Sequence, residues 1–165
     1  MILGYASMWR WVSLVGTAAQ LVCLPGCNDD WEDDCVHGTC VCRDLDSCNF
    51  QCPKPGCRVD CARSSSCGGQ CVDHCAFTCH DSSSCALTCG DDCAVSCSRA
   101  SACDVDCRHG CHVMCSDVSS CRITLTDGWV VCERAGLCQV TCASPGGTPI
   151  PADDCGGGRF ACGPC

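Results

Sequence analysis

Aromatic residues are scarce in this chain: three Phe, four Trp and one Tyr among 165 residues, and three of those eight fall in the first eleven. An ordinary core of aliphatic and aromatic side chains is therefore thin, and something other than ring packing must hold the chain together. Cations are also few. Ten Lys and Arg stand against nineteen Asp and Glu, a formal charge of −9. That balance disfavours a nucleic-acid or anionic-membrane role, since both need clustered Lys and Arg, and no nucleic-acid partner is expected. There is no Gly-x-Ser-x-Gly, no His-Glu-x-x-His and no phosphate loop. No catalytic constellation assembles from the five His and the many Ser, and no cofactor is implied. The reading is therefore not an enzyme. The apolar stretch from Trp11 to Leu24 is too short and interrupted for a good membrane span.

What the chain has in excess is cysteine. Twenty-eight Cys in 165 residues is about double the level that marks a disulfide scaffold. Such a set persists as disulfides only in an oxidising compartment, which points to export. Each bridge typically contributes a few kcal/mol, enough to replace the missing core.

The cysteines are periodic. Between Cys57 and Leu125 a five-residue word, Cys-x-Φ-x-Cys (Φ is apolar), starts at Cys57, Cys67, Cys75, Cys85, Cys93, Cys103, Cys111 and Cys121, at alternating offsets of ten and eight residues, with Gly69 at the centre of the second word and Leu125 ending the last. A fixed eighteen-residue period is the signature of a stacked architecture. In a strand, residues i, i+2 and i+4 share a face, so each word puts Cys, an apolar side chain and Cys inward. A helix would place Val59, Phe77, Leu87, Val95, Val105, Val113 and Ile123 opposite the cysteines, and the Gly, Ser and Asp between words punctuate strands. Turns of five residues (62–66, 80–84, 98–102, 116–120) alternate with turns of three (72–74, 90–92, 108–110). Coils stacked at about 4.8 Å pair every backbone group except at the ends. The predicted fold is all-β: a narrow, disulfide-stapled, two-sheet β-solenoid with 18-residue coils. It would have four or five coils and be roughly 20–25 Å long. The alternative is a meander of short hairpins, which leaves the Cys-rich face uncovered.

Facing positions suggest the bridges Cys61–Cys67, Cys79–Cys85, Cys97–Cys103 and Cys115–Cys121 across long turns, and Cys71–Cys75, Cys89–Cys93 and Cys107–Cys111 across short ones. Cys42 with Cys48 and Cys132 with Cys138 enclose five residues in the same way. Spacing alone does not fix connectivity, since Cys in adjacent coils are also within bridging range. Where the next short-turn pair is due the chain has Leu125 and Trp129, the latter eighteen residues after Cys111. This reads as a degenerate capping coil in which an apolar pair replaces a disulfide. Residues 144–154 read as a Pro/Gly-rich linker, with Cys155, Cys162 and Cys165 in a small stapled tail that could engage Cys142.

Several chemistries bear on these positions. Metallothionein-like storage needs dense Cys-x-Cys clusters, and only Cys40-Val-Cys42 is of that form. On the short-turn edge Asp73, Asp91 and His109 stack at the period, as do His74 and Asp92; they are weak candidates for a divalent cation. Asp also simply suits turns. Outward pairs such as Ala76/Thr78, Ala94/Ser96 and Asp104/Asp106 form no regular Thr array of the ice-binding kind. Cys162-Gly-Pro-Cys165 spells a thioredoxin-type active site, but it lies at the end of the chain without a strand–helix context, so a structural bridge is the plainer reading. Cys35-Val-His-Gly-Thr-Cys40-Val-Cys42 is similar to a fragment of an EGF-type repeat without its remaining spacing, and is taken as a tight Gly turn.

The N-terminal segment has a short n-region with Arg10, or Met-Trp-Arg if Met8 starts the chain, then the apolar run ending in Leu24-Pro25-Gly26-Cys27. That tetrapeptide resembles the bacterial lipobox, with Pro25 in place of the usual small residue. The resemblance implies a lipoprotein-type signal peptide over residues 1–26 and lipidation of Cys27. Setting aside Cys23 and Cys27 leaves twenty-six cysteines, compatible with thirteen disulfides. Residues 28–34 form an acidic spacer, which with a Cys-rich cap makes up residues 27–47; the repeat solenoid then occupies 48–142 and the linker and tail 143–165. Lipobox, Cys-x-Val-x-Cys words and Cys-Gly-rich tail together resemble the Cys-rich lipoproteins of myxobacteria. That resemblance implies placement in the bacterial envelope, lipid-anchored at the outer membrane or cell surface, or alternatively secretion, and carries no established activity. The expected partners are the membrane, through the anchor, and an envelope or extracellular protein. The first functional reading is a non-enzymatic rigid spacer or interaction surface. Its alternatives are a thiol–disulfide protein using Cys162 and Cys165, and a cation-binding module on the short-turn edge.

Overall fold

The computed structural model describes residues 35–36, 38–144 and 148–165. The signal segment, the lipobox with Cys27, and the acidic spacer 28–34 lie outside the described residues. Among the described residues there is no helix. The strands are β1 (Cys35–Val36), β2 (Thr39–Arg43), β3 (Ser47–Cys52), β4 (Arg58–Ala62), β5 (Ser66–Cys71), β6 (Ala76–His80), β7 (Ser84–Cys89), β8 (Ala94–Ser98), β9 (Ala102–Cys107), β10 (Cys111–Ser116), β11 (Ser120–Leu125), β12 (Gly128–Glu133), β13 (Leu137–Cys142), β14 (Ile150–Pro151), β15 (Asp153–Gly156) and β16 (Arg159–Cys162).

Alternate strands go to alternate sheets. One sheet runs β1-β2-β4-β6-β8-β10-β12-β16-β15 and the other β14-β13-β11-β9-β7-β5-β3. From β2 to β12 and from β3 to β13 every pairing is parallel. A meander would pair consecutive strands antiparallel, so the chain is a two-sheet β-solenoid. Six coils are present rather than four or five, because β2 and β3 form a complete first coil with Cys40 and Cys42 turned inward and buried. Five steps of about 4.8 Å give a stack about 24 Å long.

The coil length drifts. Cys42 pairs with Cys61 and Cys48 with Cys67, a nineteen-residue step, because the turn 53–56 has one residue more than the other short turns. The middle coils step by eighteen, as Cys79↔Cys97 and Cys85↔Cys103 show. The last steps by seventeen, with Cys115↔Cys132 and Cys121↔Cys138. This corrects the expected role of Trp129. Leu125 does take the place of a cysteine, opposite Cys107, but Gly128 stands opposite Cys111 and Trp129 pairs with His112 on the outer face. The turn has lost one residue, and alternation inward from Cys132 runs through Val130 to Gly128. Gly128 is required there: its φ is +128°, and a Cβ would lie 2.2 Å from the Cys111 carbonyl oxygen.

Inward rows of apolar side chains run the length of the stack: Val59, Phe77, Val95, Val113 and Val130 in one sheet, Phe50, Leu87, Val105, Ile123 and Val140 in the other, all buried. Gly69 interrupts the second row. A Cβ there would sit 2.3 Å from the Phe50 carbonyl oxygen and 2.7 Å from its ring, so Phe50 supplies the missing volume and packs against Phe77 with centroids 5.6 Å apart.

Cysteines close both edges of the sandwich. Across the long turns the bridges are Cys42–Cys48, Cys61–Cys67, Cys79–Cys85, Cys97–Cys103, Cys115–Cys121 and Cys132–Cys138. Across the short turns they are Cys52–Cys57, Cys89–Cys93 and Cys107–Cys111. Cys71 and Cys75 are the exception: they are buried, unbridged thiols. They stand where the second coil passes into the third, close to Gly69, where Phe50 of the first coil and Phe77 of the third pack together instead of an aliphatic pair. The segment read as a linker and tail folds back as a cap. β16 pairs antiparallel with β12, β15 with β16, and β14 with the end of β13, while Cys142–Cys162 pins the cap to the last coil. At the opposite end β1 turns back antiparallel on β2 around Gly38, as expected of a tight Gly turn.

Candidate functional site

Among the described residues the interior is given over to cysteine and apolar side chains, which leaves the two ridges of turns, the two outer faces and the unbridged thiols as places for chemistry. The long-turn ridge carries a feature that the sequence reading missed. The second residue after the second Cys of each odd word is, in coil order, Asp44, Arg63, Asp81, Arg99, Asp117 and Arg134. All six have left-handed backbone, with φ between 49° and 57°. That conformation costs a non-glycine residue roughly 1–2 kcal/mol, and it turns each N–H along the stack. Asp44 donates to the carbonyl of Ala62, Arg63 to His80, Asp81 to Ser98, Arg99 to Ser116 and Asp117 to Glu133, at 3.0–3.2 Å.

The side chains then pair across coils. Arg63 grips Asp44 at 2.6 and 2.8 Å, Arg99 grips Asp81 at 2.6 and 2.8 Å, and Arg134 grips Asp117 at 2.5 and 2.7 Å, each bidentate. The Arg63 guanidinium hydrogen-bonded to Asp44 holds that carboxyl below its usual range, as Arg134 does for Asp117. Asp81 is lowered further, first by Arg99 and then by His80. Exposed pairs contribute little to stability singly, but strict alternation penalises a one-coil slip, which would bring like charges together. The signal was visible at a fixed offset from the cysteines; the reading followed the thiols and not the residues beyond them.

The short-turn ridge does stack Asp73, Asp91 and His109, and the structure shows what they do. Asp73 Oδ1 accepts the Asp91 N–H at 2.8 Å, and Asp91 Oδ1 accepts the His109 N–H at 3.3 Å. Arg108 reaches Asp73 at 3.2 Å and Asp91 at 3.5 Å. In the last coil Asp127 continues the row, accepting the Gly110 N–H and lying 3.2 Å from His109 Nδ1; the Gly110 amide is the main cause of its lowered pKa. His74 stands 3.6 Å from Asp92. These carboxylates tie one turn to the next, Asp73 and Asp91 engaging Arg108 as well and Asp92 and Asp127 each facing a histidine.

The outer faces are open sheets. The larger depression, about 640 Å³, lies over β5, β7 and β9, floored by Gly68 and Ala86 and bordered by Asn49, Gln70, Asp104 and Arg122. On the other sheet a smaller one, about 310 Å³, lies over Ala76, Ala94 and Ser96 beside His112 and Trp129, whose rings stack 4.6 Å apart. Arg159 lies 5.4 Å from the Trp129 ring centroid.

At the C-terminus the two sulfurs of Cys-Gly-Pro-Cys are separated: Cys162 joins Cys142 and Cys165 joins Cys155. A redox site in which the two attack and resolve one another is not assembled. The expected engagement of Cys142 by the tail is present. Groups of three sulfurs within 4.8 Å recur along the core, for example Cys89, Cys93 and Cys107, and nearly all belong to bridges. Cys71 and Cys75 are the exception again, and burial, reinforced by the adjacent Cys75, pushes the Cys71 thiol up. No family model, no curated protein and no solved structure matches the chain.

Proposed function

We propose that the chain is an exported, non-enzymatic protein of the bacterial envelope whose stapled solenoid acts as a rigid spacer or interaction surface, held to the membrane through a lipid on Cys27. The observation that carries this reading is the stitching of all six coils by a long-turn disulfide, each between strands of facing sheets. A stack cross-linked in every coil resists local opening and bending, which suits a spacer and does not suit a site that must move. Abundant disulfides suit an oxidising, extracytoplasmic location. The cap over the last coil leaves the N-terminal end of the stack as the side from which a tether would extend.

Intact mass of the protein recovered from an envelope fraction tests the reading in one measurement. Cleavage before Cys27, a diacylglyceryl adduct on that residue and a body cross-linked in every coil, with Cys71 and Cys75 left as thiols, are expected. Recovery of an unprocessed chain from the cytosol with reduced cysteines would refute it. The thiol–disulfide alternative predicts a Cys162–Cys165 bond, and the observed pairings do not favour it.

A further inference from the structure

One pair of thiols stands apart in a core of disulfides. Cys71 ends β5 and Cys75 follows the three-residue turn 72–74, the position that Cys89–Cys93 and Cys107–Cys111 occupy as bridges in the next two coils. Both side chains are buried, and their sulfurs lie within 4.8 Å of each other and of Cys89 Sγ. We propose that Cys71 and Cys75 form a two-coordinate binding site for a soft monovalent d¹⁰ cation of the copper(I) class. This goes beyond the spacer reading and does not depend on it.

The donor set selects the ion. Two thiolate bonds of about 2.3 Å, the length found for zinc–sulfur, place the sulfurs at most about 4.6 Å apart when linear, so sulfurs already within 4.8 Å of one another can be spanned by one ion with only a small adjustment. Zinc requires four ligands. The third sulfur within reach, Cys89, is committed to Cys93, and Asp73, the carboxylate of the turn between the two thiols, is taken up by the Asp91 N–H and Arg108. Hard divalent cations need about six to eight oxygens, whereas the pair is met by the Asp73 carbonyl oxygen, 3.7 Å from Cys75 Sγ. Soft thiolate pairs favour copper(I) over harder first-row ions.

Binding breaks two S–H bonds and forms two metal–sulfur bonds. Two protons leave to solvent and no electron is transferred. Because burial favours the neutral thiols, occupancy should rise with pH, each bound cation displacing two protons. The short turn, with its exposed Val72 and His74, is the route by which the cation reaches the sulfurs.

The test uses the full chain, purified without reductant, and silver(I) in chloride-free buffer as a redox-inert probe, with copper(I) delivered from a bathocuproine complex as the second arm. One cation per chain, release of two protons and a thiolate-to-metal ultraviolet band are expected. All three should be lost in Cys71→Ala, in Cys75→Ala and in the double variant, whose melting under non-reducing conditions reports whether it folds. If the double variant does not fold, iodoacetamide capping of the two thiols, located by peptide mapping, replaces it. Stoichiometric binding that survives the loss or capping of both thiols overturns the proposal, as does finding Cys71 and Cys75 already joined in the purified protein.

Discussion

Removing the Cys142–Cys162 bridge should loosen one end of the molecule and leave the rest unchanged. This bridge encloses a separation of twenty residues, against four to six for those inside the coils. On the chain-entropy account its cross-link is worth about 3.3 kcal/mol, against about 2 for the shorter ones. It also holds β16 over β12, where Val130 and Leu125 are fully buried. In the variant Cys142→Ala/Cys162→Ala the cap is kept by its antiparallel ladder alone. Its opening should become easier by about 3 kcal/mol, roughly a two-hundred-fold change in the opening constant. Hydrogen exchange read by mass spectrometry, with reduction only after quenching, is the assay. Amides of β16 and β12 should exchange about two orders of magnitude faster, while those of β8 and β9, in the fourth coil, stay within a few-fold of wild type. A stack of coils that contact only their neighbours behaves in this graded way. Equal acceleration in β8 and β9 would show that the solenoid opens as one unit, and no acceleration in β16 would show that the bridge bears none of the load.

Other predictions follow from the ridges and turns. Gly128→Ala should destabilise by about 1–3 kcal/mol, because it puts a side chain at positive φ against the Cys111 carbonyl; a denaturant midpoint equal to wild type would contradict the register assigned to β12. Asp44, Asp81 and Asp117 are held below their usual pKa by arginine hydrogen bonds, so the stability they add is present above the unfolded value of about 3.9 and lost as pH falls through the lower folded values. Urea midpoints should therefore be flat from neutral pH to about 4 and fall below it; Arg99→Gln should reduce that fall, and an unchanged profile would discount the ladder. Arg99→Asp places like charges in a row at positions 81, 99 and 117 and should lower the melting temperature, with Asp81→Arg in the same chain restoring part of the loss. In native protein at pH 8, N-ethylmaleimide should label Cys71 and Cys75 far more slowly than after unfolding, since both are buried and the Cys71 thiol is pushed up; equal rates would place them at the surface.

How much of this was legible in the sequence follows from where each residue points. Inward positions obey a strict rule, because a two-sheet interior one side chain deep accepts only Cys and one apolar residue per strand. That rule gave the solenoid and the sheet-facing rows from spacing, and made the long-turn pairs the candidates for bridges. It failed where the period drifted. Trp129 sits eighteen residues after Cys111 and so looked inward, yet the turn before β12 has one residue fewer, and alternation from Cys132 puts Val130 and Gly128 inside. Counting back from the following cysteine, rather than forward from the preceding one, gives the right register, since a disulfide fixes the strand after a turn as firmly as the strand before it.

Turns obey a different rule, and there the reading saw composition without its use. Asp and Arg two residues beyond a Cys look like ordinary solvated turn residues. Only when coils are superposed do they become a single file of alternating charge in left-handed backbone. The long-turn bridges tie the two strands of one coil, and the short-turn bridges Cys52–Cys57, Cys89–Cys93 and Cys107–Cys111 join the end of one coil to the start of the next only across the turn that already connects them; none of these nine bonds joins neighbouring strands of the same sheet. Register between coils therefore rests on the backbone ladder, on turn-to-turn caps such as Asp73 to Asp91, and on the Asp–Arg file. A backbone ladder is nearly indifferent to which coil it meets when every coil presents the same Cys-Φ-Cys face. The information that sets coil order is thus carried by the residues that differ from coil to coil: the charge alternation on one ridge, the Gly69–Phe50 exchange of volume in the core and the unbridged pair at Cys71 and Cys75.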